Sequence, residues 1–407
     1  MKKIEGGVTV AKGFQAAAAE ANIKYQGRKD MALVYSQVPA ITAGTYTTNV
    51  VKAAPVLWDK KLVKENETAQ AVVLNSGIAN AATGEMGKEL NQKMAEAVAA
   101  ELSLSPEAVL TASTGVIGMQ LPEEKLKTGA KLLAPALDDS LEAGTAAAEA
   151  IMTTDTYAKE YAVSFELDGK EVSIGGMSKG SGMIHPNMAT MLCVLTTDAS
   201  ISKELLQKAA SEAVADSFNM ISVDRDTSTN DTFLVLANGL AGNEKITEQG
   251  EAYQKFYEAL FTVASGLAKK MAADGEGATK LFTCTVKNAV SKEKAKILSK
   301  SVITSNLVKT AVYGSDANWG RILCAMGYAG VEFDPDKVDL YIESDAGSLK
   351  LVENGMATDY SEEKATEILS ADSVTATADI KEGTASATAW GCDLTYEYVK
   401  INGDYRS

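Results

Sequence analysis

Between Lys179 and Leu192 the chain reads KGSGMIHPNMATML, a polar entry rich in glycine that runs directly into apolar residues. Glycine lifts the backbone restrictions that a Cβ imposes, and Pro186 pushes His185 away from helical geometry. Such a segment makes a turn, whereas the following MLCVLTTD is short and apolar enough to be a buried strand. A workable fold must therefore deliver a tight or strained turn to the first residue of a core strand. Thr190 stands at that junction, behind the small Ala189.

Other short apolar runs repeat the theme. AVVLN (71–75) reads as a buried strand, ended by the turn-like SGIANAATG. Met86, Leu90, Met94, Val98 and Leu102 then recur at helical spacing. Ser105-Pro106 suits either a helix start or a turn before the strand AVLTAS. Leu126, Ala130, Leu133 and Leu137 share one helical face over 122–137, and a further helix over 140–152 runs into TTDT. Beyond Thr190, a helix over 202–218 turns Leu205, Leu206, Ala209, Ala213 and Val214 inward. MISVD and TFLVLANG are strands on either side of the polar turn RDTSTND, and a long helix occupies roughly 250–273. KVDLYIE, SVTATADI and LTYEYVKI make the last seventy residues mostly strand. Strands and helices mixed without strict alternation predict an α/β class of α+β character, with layered sheets flanked by helices.

Composition narrows the function. Among 407 residues the formal net charge is −15, with no basic run, so nucleic acid is not an expected partner. No stretch is long and apolar enough for a membrane span, and the N-terminus lacks a signal-peptide pattern; the expectation is a cytoplasmic protein. Cys193, Cys284, Cys324 and Cys392 form no CxxC pair and read as reduced core thiols. With a single histidine and no metal-type cysteine spacing, no metal site is expected. Any general base is His185 or is not a histidine.

The local motifs give limited chemistry. GGMSKGSG has the glycine spacing of a phosphate loop at Gly175 and Gly180, but Ser181 stands where that loop needs lysine. His185 has no motif partner and reads as a structural histidine in a turn. Thr190 is a weak nucleophile as an internal residue, and its hydroxyl then serves a strand start. If the bond before it were cut, its own α-amine would sit beside the hydroxyl as general base, titrating near pKa ~7.7–8.0.

KGSGMIHPNMATML resembles the signature of the ornithine acetyltransferase family, the glutamate N-acetyltransferases of arginine biosynthesis. The resemblance continues in TASTGVIG (111–118), AIMTTDT (150–156), DTSTNDT (226–232), GEGATK (275–280), GSDANWGR (314–321) and the ending YVKINGDYRS. These blocks span most of the chain in the family's order. The departures are Arg225 where the family usually has glycine, Ile78 for asparagine, Ala158 for proline, and Ser407 where threonine is common.

The resemblance implies a fold shared with β-aminopeptidases, in which the precursor cuts itself between Ala189 and Thr190. The α chain (1–189) and β chain (190–407) would stay associated as an α2β2 heterotetramer. Thr190 would take the acetyl group of N2-acetylornithine as nucleophile and pass it to glutamate, giving ornithine and N-acetylglutamate. Thr114 and Gly115 would form the oxyanion hole. Thr153, Lys179, Thr190, Glu276, Asn402 and Ser407 would bind substrate. No cofactor is implied; acetyl-CoA enters only as a further donor, and bifunctional use is the expectation. A β-aminopeptidase passing its acyl group to water is the alternative, although threonine with GEGATK and NWGR favours the transferase.

Overall fold

The computed structural model describes residues 1–185 and 191–404, and within them the short apolar runs assemble into two sheets. The larger has nine strands among the described residues: β1 (Lys2–Ile4), β2 (Phe14–Ala19), β3 (Met31–Tyr46), β4 (Thr68–Asn75), β5 (Val109–Ser113), β6 (Lys159–Leu167), β7 (Lys170–Lys179), β8 (Leu192–Thr197) and β10 (Thr232–Ala237). Their order is β1-β6-β7-β8-β10-β3-β4-β5, with β2 also paired to β3. Helices α1 (Ala54–Glu65), α2 (Gly84–Leu102), α3 (Glu123–Leu133), α4 (Leu141–Ala150) and α5 (Lys203–Asp216) belong to the same unit, which comprises the described residues of Met1–Gly180, Pro186–Asn219 and Thr227–Ala268.

The continuous apolar run AVVLN follows from burial on both faces. Val72 and Leu74 share a core with Ala147, Ala148 and Ala150 of α4. Ala71 and Val73, on the opposite face, pack with Met94, Val98 and Ala99 of α2 and with Leu126 and Ala130 of α3. Met86, expected on the inward face of α2, is instead exposed at its first turn. The 122–137 helix stops at Leu133 and gives way to a 3-10 turn at Ala134–Ala136. Ser105-Pro106 resolves as a 3-10 turn before β5, with the Ser105 hydroxyl accepting from the Glu107 N–H.

β6 and β7 form a hairpin around Asp168-Gly169, both in the left-handed region at φ 53° and 69°, with Leu167 opposite Lys170. β7 also pairs antiparallel with β8, Lys179 opposite Leu192. In the sequence, the expected cut at Ala189-Thr190 lies between these two paired strands and outside the described residues.

The second unit comprises Ser181–His185, Met220–Asp226 and the described residues of Lys269–Ser407. Its seven strands among the described residues are β9 (Ile221–Ser222), β11 (Leu281–Ala289), β12 (Asp339–Ser344), β13 (Gly347–Glu353), β14 (Met356–Ala357), β15 (Ser373–Asp379) and β16 (Ala385–Cys392), in the order β14-β13-β12-β15-β11-β16-β9. Helix α6 (Glu251–Ala273) precedes β11; α7 (Lys292–Thr304) packs on β11 and β16, burying alternate positions Phe282, Cys284 and Val286. MISVD contributes only the two residues of β9.

Two expectations are corrected here. LTYEYVKI is not a strand: after α8 (Asn306–Tyr313), α9 (Trp319–Gly327) and α10 (Glu362–Leu369), residues Tyr396–Gly403 form helix α11. The Thr395 hydroxyl caps it by accepting from the Glu397 N–H, and Tyr396 and Val399 are exposed, so the alternating pattern had no buried face behind it. Cys193, Cys284 and Cys392 are buried, but Cys324, on the outer side of α9, is exposed and is no core thiol.

Candidate active site

Parallel pairing of β4 with β5 sets Asn75 beside Ser113, so the turns that follow, NSG and STG, lie against each other. The Thr114 N–H donates to the Asn75 carbonyl (3.0 Å), and the Val116 N–H donates to the Gly77 carbonyl (3.1 Å). The Ser113 hydroxyl donates to Asn75 Oδ1 (2.7 Å), while Asn230 Nδ2 reaches the carbonyls of Ser113 (2.7 Å) and Ala79 (2.5 Å). Gly115 has φ 129°, and a Cβ there would lie 2.2 Å from the Gly77 carbonyl carbon. Only glycine fits this approach. Among the described residues, the Gly115 N–H has no hydrogen-bond acceptor. Ile78, a departure from the family pattern, is buried in the α2–α3 core, and its carbonyl accepts from Asn75 Nδ2 (3.0 Å).

Lys179, the last residue of β7, joins this turn to the segment TTDT. Its ammonium donates to the Thr153 hydroxyl (2.9 Å) and to the Thr114 hydroxyl (3.3 Å). An ammonium is donor-only, so each hydroxyl keeps its own proton for another acceptor. Beneath lies Asp155, whose side chain is completely buried. Asp155 Oδ1 accepts from Lys159 Nζ (2.7 Å) and the Gly180 N–H (2.7 Å); Oδ2 accepts from the Thr153 N–H (3.1 Å) and lies 3.8 Å from Lys179 Nζ. Burial alone would raise this carboxyl. The charges of Lys179 and Lys159, with the Gly180 hydrogen bond, outweigh it and hold Asp155 at about 2.

In the second unit, Glu276 is buried, its N–H donates to the Ser181 carbonyl (3.0 Å), and Oε2 accepts from Asn402 Nδ2 (2.6 Å). Its carboxyl lies where a side chain on residue 182 would begin: a Cβ on Gly182 would sit 2.3 Å from Glu276 Cδ. That space requirement accounts for one glycine of KGSG. His185 Nδ1 pairs with the Ser222 hydroxyl (3.1 Å), and burial, then the charges of Lys300 and Arg225, pushes its pKa down to about 4. At neutral pH it is an uncharged imidazole bound to a strand residue, as the structural reading expects. Arg225 adopts φ 72° although it is not glycine, so the departure keeps a left-handed backbone at the cost of strain. A cleft of about 610 Å³ beside Asp224 and Tyr398 is lined by none of the expected site residues that lie among the described residues. Among the described residues, no group of three or more His, Cys, Asp or Glu could hold a metal ion, and no helix is long and apolar enough to cross a membrane.

The structure thus brings Thr114, Gly115, Thr153 and Lys179 together in the first unit and joins Glu276 to Asn402 in the second. Thr190, with Ala189 before it, and Ser407 lie outside the described residues. Sequence reasoning missed Asp155 and Lys159. Both stand in or beside AIMTTDT, and a charged pair four residues apart was the available signal.

These features define a class: a mixed α/β protein of layered sheets whose paired strands carry a hydroxyl–ammonium–carboxylate cluster beside a glycine-bound turn. The chain belongs to the ArgJ family, whose model matches residues 15–407. It is 49% identical over 399 residues to the arginine biosynthesis bifunctional protein ArgJ of Thermotoga neapolitana, covering 98% of this chain and 100% of that one. To ArgJ 1 of Clostridium acetobutylicum, of the same description, identity is 52% over 394 residues, covering 97% and 96%. Among solved structures, ArgJ of Bacillus halodurans is 44% identical with a TM-score of 0.49, over 51% of this chain and 96% of that one.

Proposed function

We propose that the protein is an acetyltransferase of arginine biosynthesis that moves the acetyl group of N2-acetylornithine to glutamate through an ester on Thr190. Support comes from membership of the ArgJ family and from relatives, about half identical over nearly their whole length, named as bifunctional arginine biosynthesis proteins. The observation that carries the chemistry is the STG turn. It presents a backbone N–H without an acceptor among the described residues and a hydroxyl whose oxygen is engaged by Lys179 while its proton remains to donate. Two preorganised donors on a rigid turn suit a developing oxyanion.

In this reading the precursor cuts itself between Ala189 and Thr190, freeing the α-amine that serves as base. The Thr190 hydroxyl attacks the acetyl carbonyl, its proton passing to that amine. Thr114 and Gly115 hold the oxyanion. Collapse breaks the C–N bond, and the amine returns the proton to the departing ornithine. Glutamate's amine then attacks the ester, and the threonine hydroxyl re-forms. Lys179 complements a substrate carboxylate and Glu276, steadied by Asn402, an ammonium; Thr153 and Ser407 add hydrogen bonds. Pairing of β7 with β8 is what would keep the 1–189 and 190–407 chains together after cleavage, with α2β2 the proposed assembly. Acetyl-CoA is proposed as a second donor.

Purified protein assayed with N2-acetylornithine plus glutamate, and separately with acetyl-CoA plus glutamate, tests both halves. N-acetylglutamate in both supports a bifunctional enzyme, and in the first alone a monofunctional one. Release of free acetate at the same rate with and without glutamate would overturn transfer in favour of hydrolysis.

A further inference from the structure

The cluster beneath Lys179 has more structure than binding one carboxylate requires. Asp155 gathers three segments: the loop carrying Thr153, the start of β6 through Lys159, and the end of β7 through the Gly180 N–H. Its partners include the residue next to Lys179 in the chain and, at 3.8 Å, the Lys179 ammonium itself. The same carboxylate fixes the Thr153 backbone, whose hydroxyl is the nearer acceptor of that ammonium. Both Asp155 and Lys159 have wholly buried side chains, whereas Lys179 keeps a small exposed fraction, 10%. The pair therefore lies behind the ammonium, where substrate does not reach, and Lys159 also stacks its charge over the Tyr157 ring at 5.0 Å.

We propose that Asp155 and Lys159 form a positioning pair that aims Lys179 at the substrate carboxylate, and so set how strongly the enzyme prefers carboxylate-bearing acetyl donors. This rests on the function proposed above. The physical argument is one of degrees of freedom. A lysine ammonium on four methylenes is a mobile point charge. Recognition of a carboxylate by a single charge needs that charge held to within a fraction of an ångström, which supporting residues must supply. The Thr153 and Thr114 hydroxyls limit its excursion on one side, and Asp155 draws it from behind. Lys159 in turn occupies Oδ1 and the Thr153 N–H binds Oδ2, so Asp155 orients Lys179 without engaging it as its closest ion pair.

The test is the double substitution Asp155→Asn with Lys159→Met, which replaces a buried ion pair by neutral groups of similar size; such exchanges are often neutral or favourable for folding. Two donors are compared: N2-acetylornithine and the same molecule without its α-carboxylate, N-acetyl-1,4-diaminobutane. The expected result is a KM for N2-acetylornithine raised on the order of 10-fold to 100-fold, with kcat changed less and the decarboxylated donor little affected. Placed on a Lys179→Met background, the same double substitution should add no further loss of preference, because it acts through that ammonium. An unchanged KM, an equal loss of kcat with both donors, or a double variant that cannot fold would each overturn the proposal. Wild-type protein that moves no acetyl group from N2-acetylornithine would instead defeat the functional reading on which it stands.

Discussion

Two carboxyls buried in the same unit are shifted in opposite directions. The side chains of Asp59 on α1 and Asp155 below Lys179 are both fully buried, and both accept a backbone N–H. Asp59 Oδ1 accepts from the Thr111 N–H (2.8 Å) and hydroxyl (3.3 Å), while its Oδ2 has no partner among the described residues. Burial pushes its pKa well above 3.8, and the hydrogen bonds only partly oppose that. Asp155 has two ammonium neighbours and is held at about 2. Burial alone turns a carboxyl neutral; a buried charge persists where partners of opposite sign are built in. Asp59 therefore ties α1 to β5 with its carboxyl biased toward the neutral form, whereas Asp155 is held toward its charged form beside the proposed chemistry.

The contrast can be broken most severely at Lys159. Lys159→Met should leave Asp155 with its more distant ammonium only, making it resemble Asp59, and cost about 3–5 kcal/mol in denaturant unfolding. A loss below 1 kcal/mol would show that Lys159 does not sustain the charge. Next in size, Thr114→Ala should lower kcat on the order of 10²–10³-fold while leaving the unfolding midpoint nearly unchanged, since that hydroxyl is proposed to serve the oxyanion. Unaltered kcat would return STG to a plain strand-to-turn junction. Gly115→Ala, by contrast, should cost stability of at least about 1–3 kcal/mol, because φ 129° and the Gly77 backbone exclude a Cβ.

The pH dependences of the two carboxyls have opposite signs. Asp155 has a depressed pKa, so its contribution to stability is complete above 3.8 and is lost as pH falls through about 2. Asp59 has a raised one, so the preference for its neutral form is fully present below 3.8 and is lost as pH rises through its folded value. Asp59→Asn should accordingly raise Tm near neutral pH, with the gain disappearing below 3.8. A gain that persisted in acid would mean that burial does not bias Asp59 toward its neutral form. The smallest effect is expected far from both: Arg225→Gly, relieving a left-handed arginine, should stabilise by about 1 kcal/mol at most, the unfolded-state entropy of glycine opposing it.

How much was readable in advance follows from the same physics. AVVLN and MLCVLTTD are legible as strands because both faces are buried, which keeps Ala71–Leu74 and Met191–Leu195 continuously apolar. The β6–β7 hairpin was passed over although LDGK carries its turn, since the flanking charges broke the apolar pattern. LTYEYVKI alternates without a buried face behind it, and a threonine cap decides for helix. Thr114, Gly115 and Lys179 became candidates only through a family resemblance, and their proximity depends on strand register, which local pattern does not encode. Asp155 and Lys159 were invisible for a related reason. Charges are ordinarily exposed, and the four-residue spacing of the pair does not by itself say that folding will bury it.

The central claim is that an acetyl group rests on Thr190 between donor and acceptor. Mass spectrometry of purified protein incubated with N2-acetylornithine alone measures it most directly. The account predicts two chains, one ending at Ala189 and one beginning at Thr190, with a single acetyl group on the N-terminal threonine of the second. Ornithine should be released in equal amount, and added glutamate should remove the acetyl group as N-acetylglutamate. An uncut chain that still turns over, or a cut one that never carries the acetyl group, would contradict it.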